Sequence, residues 1–401
     1  MTGRHGSNGW LDGSLAGRLR SVNSIRLDGM KKLVDVFDPR MNALNAVRLL
    51  LSVGVIAFHS FPLTGTRIRS APVDQLLGSV FVDAFFAISG YLILSSWVRR
   101  PQWWAFLRAR LLRIMPAFYV SGLVTAFVIA PAAILIDGTG FPASFGAGAV
   151  AYVLGNAFLR VHNYAIAGTP LGVQYPHVWN GSLWTLWWEF LCYLGVLALG
   201  LARVLRWRAT VVLAFALAAL GLLATAYGPV HNYYLDNGSR FGLMFLAGSM
   251  VYTFRDKLPV SWALVALAAL VVAASSFLPD YRIVAALPIA YVAIGAGALL
   301  KHPRLRLTND ISYGTYIYAF PMQQLLATAG LYRLGVPVFA VASILVTLPM
   351  AVASWFGIER PALKLKRSRA TAPSPAPVAT EDFGPGAMPA DRPTAEVRAG
   401  Q

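Results

Sequence analysis

The chain has 401 residues, of which 57% are hydrophobic and 13% are charged, a composition far outside the usage of soluble proteins. It therefore indicates an integral membrane protein. The net charge of +17 does not indicate a nucleic-acid ligand, because the basic residues are spread over many segments and no nucleic-acid-binding motif is present. The single cysteine, Cys192, excludes an internal disulfide and a cysteine-based zinc cluster.

The apolar stretches predict the transmembrane helices. The first 41 residues are polar and basic, and they carry no secretory signal pattern. Ten later stretches approach the length of about 20 residues that a spanning helix needs. They lie near 42–62, 76–97, 114–136, 183–202, 210–227, 240–254, 261–278, 283–300, 311–332 and 337–358. We predict an all-α integral membrane protein with about ten transmembrane helices, and we expect the apolar patch at 147–159 to be interfacial or re-entrant.

The basic residues predict the orientation. If the N-terminus is cytoplasmic, most of the 34 lysines and arginines fall in segments on the cytoplasmic side. The positive-inside rule thus predicts that both termini are cytoplasmic, with the charge beside anionic lipids of the inner leaflet. The expected organisation is a basic arm at 1–41, a transmembrane domain at 42–369, and a tail at 370–401 whose proline, alanine and glycine content predicts disorder.

Two polar residues stand out in the first predicted helix, which contains the run RLLLSVGVIAFHS. Arg48 begins this run and His59 lies near its end. In a helix their spacing corresponds to roughly 16 Å along the axis and about 20° around it, so both lie on nearly the same face. Either the two side chains extend separately to the two membrane surfaces, or they belong to one functional site.

Two other predicted helices carry lone carboxylates, Asp83 and Glu189, each about two turns from the outer side. A carboxylate inside a membrane is costly unless it is paired or faces water. We therefore expect Asp83, Glu189 and His59 to form a cluster in the outer half of the membrane. Alternatively, Glu189 could be a structural partner of a tryptophan N–H or of an arginine.

Arg110 and Arg113 lie three residues apart at the cytoplasmic entrance to the third predicted helix, level with Arg48. Their guanidinium groups suit bidentate binding of phosphate. Ordinary positive-inside charge explains them equally well. For the neighbouring Arg99, Arg100 and Arg108 we prefer that simpler explanation.

Several motifs together resemble the membrane acyltransferase type 3 family. Arg48 and His59 match the family pattern of Arg or Lys, ten residues and then His in the first helix. The run VDAFFAISGYL resembles the family pattern V-D-x-F-F-x-x-S-G-F/Y, which places Asp83, Ser89 and Gly90.

The later motifs follow in the family's order. FLRARLLRIMP is similar to F-x-x-x-R-x-x-R-I-x-P and places Arg110 and Arg113, while SLWTLWWEFLCY is similar to S-L-W-x-L-x-x-E-x-x-x-Y and places Glu189 and Tyr193. ISYGTYIYAFP and IERP resemble the last two motifs. The resemblance extends over roughly residues 42–369.

Two positions depart from the family pattern. Ala319 stands where the family often has a histidine, so any role of that histidine is either absent or filled by Tyr316 or Tyr318. Phe81 stands where glycine is common, which affects local packing. We expect no hydrolase-like soluble domain attached to the transmembrane part.

The resemblance implies an O-acyltransferase of the cytoplasmic membrane, whose donor is an acyl-CoA, in the first place acetyl-CoA, and whose acceptor is a hydroxyl of a glycan or glycosylated metabolite. His59 would be the general base or the acyl-accepting nucleophile, with Asp83 or Glu189 orienting it. Arg48, Arg110 and Arg113 would hold the CoA phosphates, and no metal is expected. The alternative class is a proton-coupled transporter, which also needs buried ionisable residues.

Overall fold

A computed structural model describes residues 30–229 and 232–365 of the chain. These residues are helical apart from turns and loops, and no sheet occurs within those two ranges. The predicted all-α class is therefore confirmed. The predicted disordered tail and residues 1–29 of the predicted N-terminal arm lie outside the described residues.

The α-helices are numbered here in chain order. They are α1 (Leu33–Val36), α2 (Leu44–Leu63), α3 (Ala71–Leu77), α4 (Val80–Arg99), α5 (Trp103–Val124), α6 (Ala130–Asp137), α7 (Phe145–Gly155), α8 (Thr185–Leu201), α9 (Arg208–Tyr227), α10 (Tyr233–Thr253), α11 (Trp262–Ser275), α12 (Arg282–Leu299), α13 (Ser312–Thr328), α14 (Val336–Ser354) and α15 (Arg360–Leu365). Short 3-10 turns occur at Val204–Arg206, Pro303–Leu305 and Leu331–Leu334.

Two π-helical turns join consecutive helices without a break. Thr125–Ile129 connects α5 to α6, and Trp355–Glu359 connects α14 to α15. Each turn ends two residues before a proline, Pro131 or Pro361. Because proline has no N–H to donate and its ring crowds the preceding turn, a local widening lets the helix continue past it. The second turn holds Glu359, a residue of the site described below.

Six helical segments of the described chain are long and apolar enough to span a membrane. They are Leu44–Leu63, Ala71–Arg99, Trp103–Asp137, Arg208–Tyr227, Arg282–Leu299 and Val336–Leu365. The chain is thus a multi-pass membrane protein. Three shorter apolar helices, α7, α8 and α11, fall below spanning length. The count of about ten spans and the cytoplasmic placement of the termini stay predictions.

Helices α4 and α10 approach each other backbone to backbone at two glycines. A Cβ at Gly90 would lie 1.8 Å from the carbonyl oxygen of Phe245, and one at Gly248 would lie 1.7 Å from that of Ala87. Small residues permit such close approach between membrane helices, where packing rather than hydrophobic burial drives association. Gly90, which the motif resemblance singled out, thus has a packing reason to be glycine.

Phe81, the departure from glycine in the same motif, is accommodated by another glycine. A Cβ at Gly54 of α2 would lie 2.4 Å from the Phe81 ring. The ring therefore occupies the space beside the backbone of α2, and the effect of this departure is local packing, as expected.

Helix α13 lies at the centre of the bundle, with nearly all of its residues buried. It packs on α2 and α14, and α2 also packs on α4, α12 and α14. Helices α2 and α13 run side by side in the same direction, because Arg48 contacts Asp310 just before α13 and His59 contacts Phe320 further along it. We call these two ends of the bundle the Arg48 end and the His59 end.

Candidate active site

Three predicted site arginines and Glu189 surround one small cavity at the Arg48 end. This arginine cavity has a volume of about 70 Å³ and is lined by Arg48, Arg110, Arg113, Glu189 and residues of α4 and α13. The arginines come from α2 and α5, and the carboxylate comes from α8. Residues from three distant parts of the sequence thus share one site.

Two acidic residues neutralise two of these arginines. Asp310 accepts hydrogen bonds from Arg48 and, at 2.6 Å, from Arg113. Glu359 accepts a second bond from Arg113 at 3.1 Å. The side chains in these ion pairs are between 1% and 19% exposed, so water screens them little. Arg48 and Arg113 are therefore fixed in direction by carboxylates before any ligand binds.

Arg110 differs from the other two arginines because it forms no ion pair with a described residue. Its Nη2 donates to Ser96 at 3.2 Å, and its guanidinium lies 5.5 Å from the ring centroid of Phe106. Its buried Nε has no hydrogen-bond partner in the described part of the chain. Of the three arginines, Arg110 retains most of its capacity to bind an added anion.

Glu189 lies at the wall of the arginine cavity and is held by two hydroxyl groups. Ser89 donates to its Oε1 at 2.7 Å, and Tyr193 donates to the same atom at 2.5 Å. The structure therefore brings Glu189 to the Arg48 end and not to His59. The structural alternative named a tryptophan N–H or an arginine as the partner of Glu189, whereas the donors in the structure are two hydroxyl groups.

A second, smaller cavity of about 40 Å³ continues from the first toward the His59 end. It shares Arg48 and Glu189 with the arginine cavity and extends between Phe85 of α4 and Tyr316 of α13. The rings of Phe85 and Tyr316 meet edge to face, with centroids 6.0 Å apart. These aromatic side chains line the interior between the arginines and the level of His59.

His59 lies on α2 beyond these aromatic residues. Its ring packs edge to face on Phe320, with a centroid distance of 5.2 Å. Its buried Nδ1 has no hydrogen-bond partner among the residues that the structure describes. No described carboxylate comes within ion-pair distance of the ring. The expected orientation of His59 by Asp83 or Glu189 is thus not formed.

Asp83 instead pairs with arginines of two other helices. Its Oδ2 accepts from Arg282 at 2.6 Å and from the Tyr281 hydroxyl, while Arg240 approaches Oδ1 at 3.6 Å. The carboxylate is fully buried. A buried carboxylate needs compensating charge, and two guanidinium groups provide more of it than one imidazole could. Asp83 therefore links α4 to α10 and α12.

Sequence reasoning did not find Asp310, which holds Arg48 and Arg113 together. It directly precedes the ISYGTYIYAFP motif. Three arginines at membrane depth require acidic partners. This requirement could have directed attention to Asp310, and it applies equally to Glu359 in the IERP motif.

Ala319, which replaces the family histidine, is fully buried in α13. Of the two tyrosines that could fill its role, Tyr316 lines the cavity beside Glu189. Its hydroxyl donates to the carbonyl oxygen of Ser182 at 2.9 Å and lies 2.6 Å from the Thr185 hydroxyl. Tyr316 is thus the better placed of the two.

A family model described as an acyltransferase domain matches residues 41–356. The chain belongs to this acyltransferase type 3 family. An O-acetyl transferase of Shigella phage Sf6 is 28% identical over 301 residues, covering 71% of this chain and 85% of the relative. Nodulation protein 10 of Rhizobium leguminosarum bv. viciae is 26% identical over 366 residues, covering 82% of this chain and 94% of the relative. No solved structure matches the chain.

Family membership makes the chain a membrane-embedded acyltransferase, as the motif resemblance implied. The described residues contain no group of three or more His, Cys, Asp or Glu arranged to hold a metal ion. The site therefore consists of one unpaired histidine, one hydroxyl-bound glutamate, and three arginines of which two are paired.

Proposed function

We propose that this protein transfers an acyl group, in the first place acetyl, from acyl-CoA to a hydroxyl of a glycan or glycosylated metabolite. The reaction takes place in the cytoplasmic membrane, with the donor entering from the cytoplasm at the Arg48 end and the acceptor arriving at the His59 end. The relative named as an O-acetyl transferase supports acetyl as the transferred group and oxygen as the acceptor atom. The observation that carries the mechanism is the unpartnered imidazole of His59 on the same helix face as Arg48.

The donor's phosphates interact with the arginines, and Arg110 contributes most because it has no acidic partner among the described residues. Arg48 and Arg113, which Asp310 holds, shape the wall along which the thiol arm passes. The roughly 16 Å between Arg48 and His59 is within the reach of an extended pantetheine arm, given ordinary bond lengths. The acyl carbon can thus reach the level of His59 while the nucleotide stays outside.

In direct transfer, the acceptor hydroxyl gives its proton to a nitrogen of His59 as its oxygen attacks the thioester carbonyl. The C–O bond forms, the C–S bond breaks, and the departing thiolate takes the proton from the imidazolium. In two-step transfer, a nitrogen of His59 attacks first and the thiol leaves, and the acceptor hydroxyl then displaces the imidazole. Both routes use the same residue and release the same products.

The other two residues of the predicted catalytic group take different roles. Glu189 acts at the donor end, where it fixes Ser89 and Tyr193 and faces the arginines. Asp83 keeps α4, α10 and α12 aligned through Arg240 and Arg282.

No observation favours the transporter alternative. A proton-coupled carrier needs a buried carboxylate that gains and loses a proton during the cycle. Asp310 is paired with both Arg48 and Arg113. Two such neighbours favour the ionised form of a carboxylate over the protonated form.

The experiment uses the full chain in nanodiscs with radiolabelled acetyl-CoA and a panel of bacterial polysaccharides and glycosylated small molecules. The proposal predicts base-labile label on an acceptor, as expected for an ester. Accumulation of a solute in proteoliposomes without any transfer would support a carrier instead. Label that stays on the protein when the acceptor is omitted, and that disappears in His59→Ala, would select the two-step route.

A further inference from the structure

A cavity much larger than the arginine cavity lies outside the site discussed so far. It has a volume of about 1150 Å³ and lies where α4 ends, α5 begins and α8 ends. We call it the tryptophan groove, because Trp97, Trp103 and Trp104 contribute to its walls. The arginine cavity, at about 70 Å³, is far too small for a nucleotide, whereas sites for cofactors usually have volumes of roughly 300–1,000 Å³.

The tryptophan groove carries unpaired positive charge. Arg99, Arg100, Arg108 and Arg203 all line it, and none of them forms an ion pair with a described residue. Arg48 and Arg113 of the arginine cavity, by contrast, are neutralised by acidic residues. Guanidinium groups without acidic partners are well suited to phosphate. The charge available for an anionic ligand is therefore concentrated in the groove.

The tryptophan groove also offers aromatic surface to a ligand. Trp103 and Trp104 are each 54% exposed, and their rings meet edge to face with centroids 5.6 Å apart. Stacking on an exposed aromatic ring is a common way to bind a nucleobase. A ligand with both a base and phosphates matches this combination better than phosphate alone.

Two residues connect the tryptophan groove to the arginine cavity. Ser96 lines the groove and accepts the hydrogen bond from Arg110, which lines the cavity. Phe106 also lines the groove, and the Arg110 guanidinium lies over its ring. A ligand that fills the groove can thus extend past Arg110 into the cavity.

We propose that the tryptophan groove holds the nucleotide end of the thioester donor, with the adenine on Trp103 or Trp104 and the phosphates running along Arg99, Arg100 and Arg203 as far as Arg110. Arg110 marks the passage through which the thiol arm enters the arginine cavity. This assignment rests on the proposed function. It gives Arg99 and Arg100 a ligand, where the sequence alone favoured ordinary positive-inside charge.

The test uses the variant Arg99→Gln/Arg203→Gln. Neither side chain forms a hydrogen bond or an ion pair with a described residue, unlike the neighbouring Arg100, Arg108 and Arg208, so the substitutions should leave the fold intact. The control is Arg206→Gln, which removes one positive charge three residues beyond Arg203 but outside the groove. Two donors are compared in nanodiscs, acetyl-CoA and acetyl-pantetheine. The second donor has the same thioester but no nucleotide.

The expected result is a rise of about tenfold or more in the KM for acetyl-CoA in the double variant, equivalent to ~1.4 kcal/mol or more. The kcat at saturation and the KM for acetyl-pantetheine should stay unchanged, and the control should behave as the wild type. Adenosine 3′,5′-bisphosphate should compete with acetyl-CoA in the wild type and more weakly in Trp103→Ala/Trp104→Ala.

Three results would overturn the assignment. An unchanged KM for acetyl-CoA in the double variant would show that the nucleotide does not bind in the groove, and it would not contradict the proposed acyl transfer. Equal losses with both donors that appear only in nanodiscs with anionic lipid would assign the groove to a lipid headgroup. Absence of transfer from either donor would refute the proposed function itself, and these three outcomes are distinguishable from one another.

Discussion

Replacing Asp310 with asparagine should be the most damaging single loss of charge at the Arg48 end. The side chain is 13% exposed and accepts hydrogen bonds from both Arg48 and Arg113. Asparagine keeps the size but removes the charge, so two like charges stay close together and largely buried. Removing one partner of a buried ion pair typically costs about 3–5 kcal/mol. Glu359 still offsets part of the charge on Arg113, so we expect a value near the lower limit, about 3 kcal/mol.

The assay is equilibrium unfolding of the full chain in mixed micelles. Asp256→Asn is the matched control, because Asp256 also pairs with an arginine, Arg208 at 2.8 Å, but both side chains are more than 40% exposed. A surface pair of this kind contributes little. Adding Arg48→Gln to Asp310→Asn should recover part of the loss, since one uncompensated charge is removed. Equal effects of the Asp310 and Asp256 substitutions would refute the view that Asp310 organises the site.

Three further predictions follow from the packing and the ion pairs. Gly90→Ala should prevent stable folding, because the new Cβ would lie 1.8 Å from a facing carbonyl oxygen. Gly242→Ala should be tolerated, because no atom of a neighbouring element lies within 4 Å of its new Cβ. The two variants are compared by their yield and monodispersity in detergent. Asp83→Asn should lower stability in the same micelle assay, and its effect on activity should be independent of that of His59→Gln in a double-mutant cycle, because the two side chains do not interact. Arg110→Ala should weaken acyl-CoA binding by roughly 1.5–3 kcal/mol in calorimetry, and lysine should restore only part of it.

The sequence was sufficient to predict the all-α membrane class and to bring Arg48, Arg110 and Arg113 to one site. Apolar stretches gave the helices because membrane insertion demands continuous hydrophobicity. Spacing on a helix brought Arg48 and His59 to one face, and Arg110 and Arg113 to another, because helical geometry is local. The helix α10 begins at Tyr233, seven residues before the predicted start at 240, because Asp236 and Arg240 hid its first turns from an apolarity criterion.

Pairing between distant residues could not be predicted in the same way. Asp83 was expected beside His59, but it pairs with Arg240 and Arg282. Similar depth in the membrane does not fix which helices are neighbours, and that choice depends on packing. The close glycine contacts let α4 and α10 pack against each other, which brings Asp83 of α4 near Arg240 of α10.

The expected membrane depth also assigned Glu189 to the wrong neighbours. It lies one turn inside α8, where Ser89 of α4 donates to it beside the arginines. The bounds of α8 differ from the predicted 183–202 by at most two residues, so the helix itself was predicted well. The packing of α8 on α4 decides the partners of Glu189, and a single sequence does not specify that packing.

The central claim is that His59 performs the acyl transfer. The most direct measurement is transfer of radiolabel from acetyl-CoA to an acceptor by His59→Ala, with insertion and monodispersity compared with the wild type. A positioned general base contributes about a hundredfold to ten-thousandfold, so the rate should fall by at least about a hundredfold in a folded protein. The folded state should survive, because the ring has no polar partner among the described residues and its loss leaves no buried charge. A folded His59→Ala protein that transfers acetyl groups at a rate near that of the wild type would contradict the account.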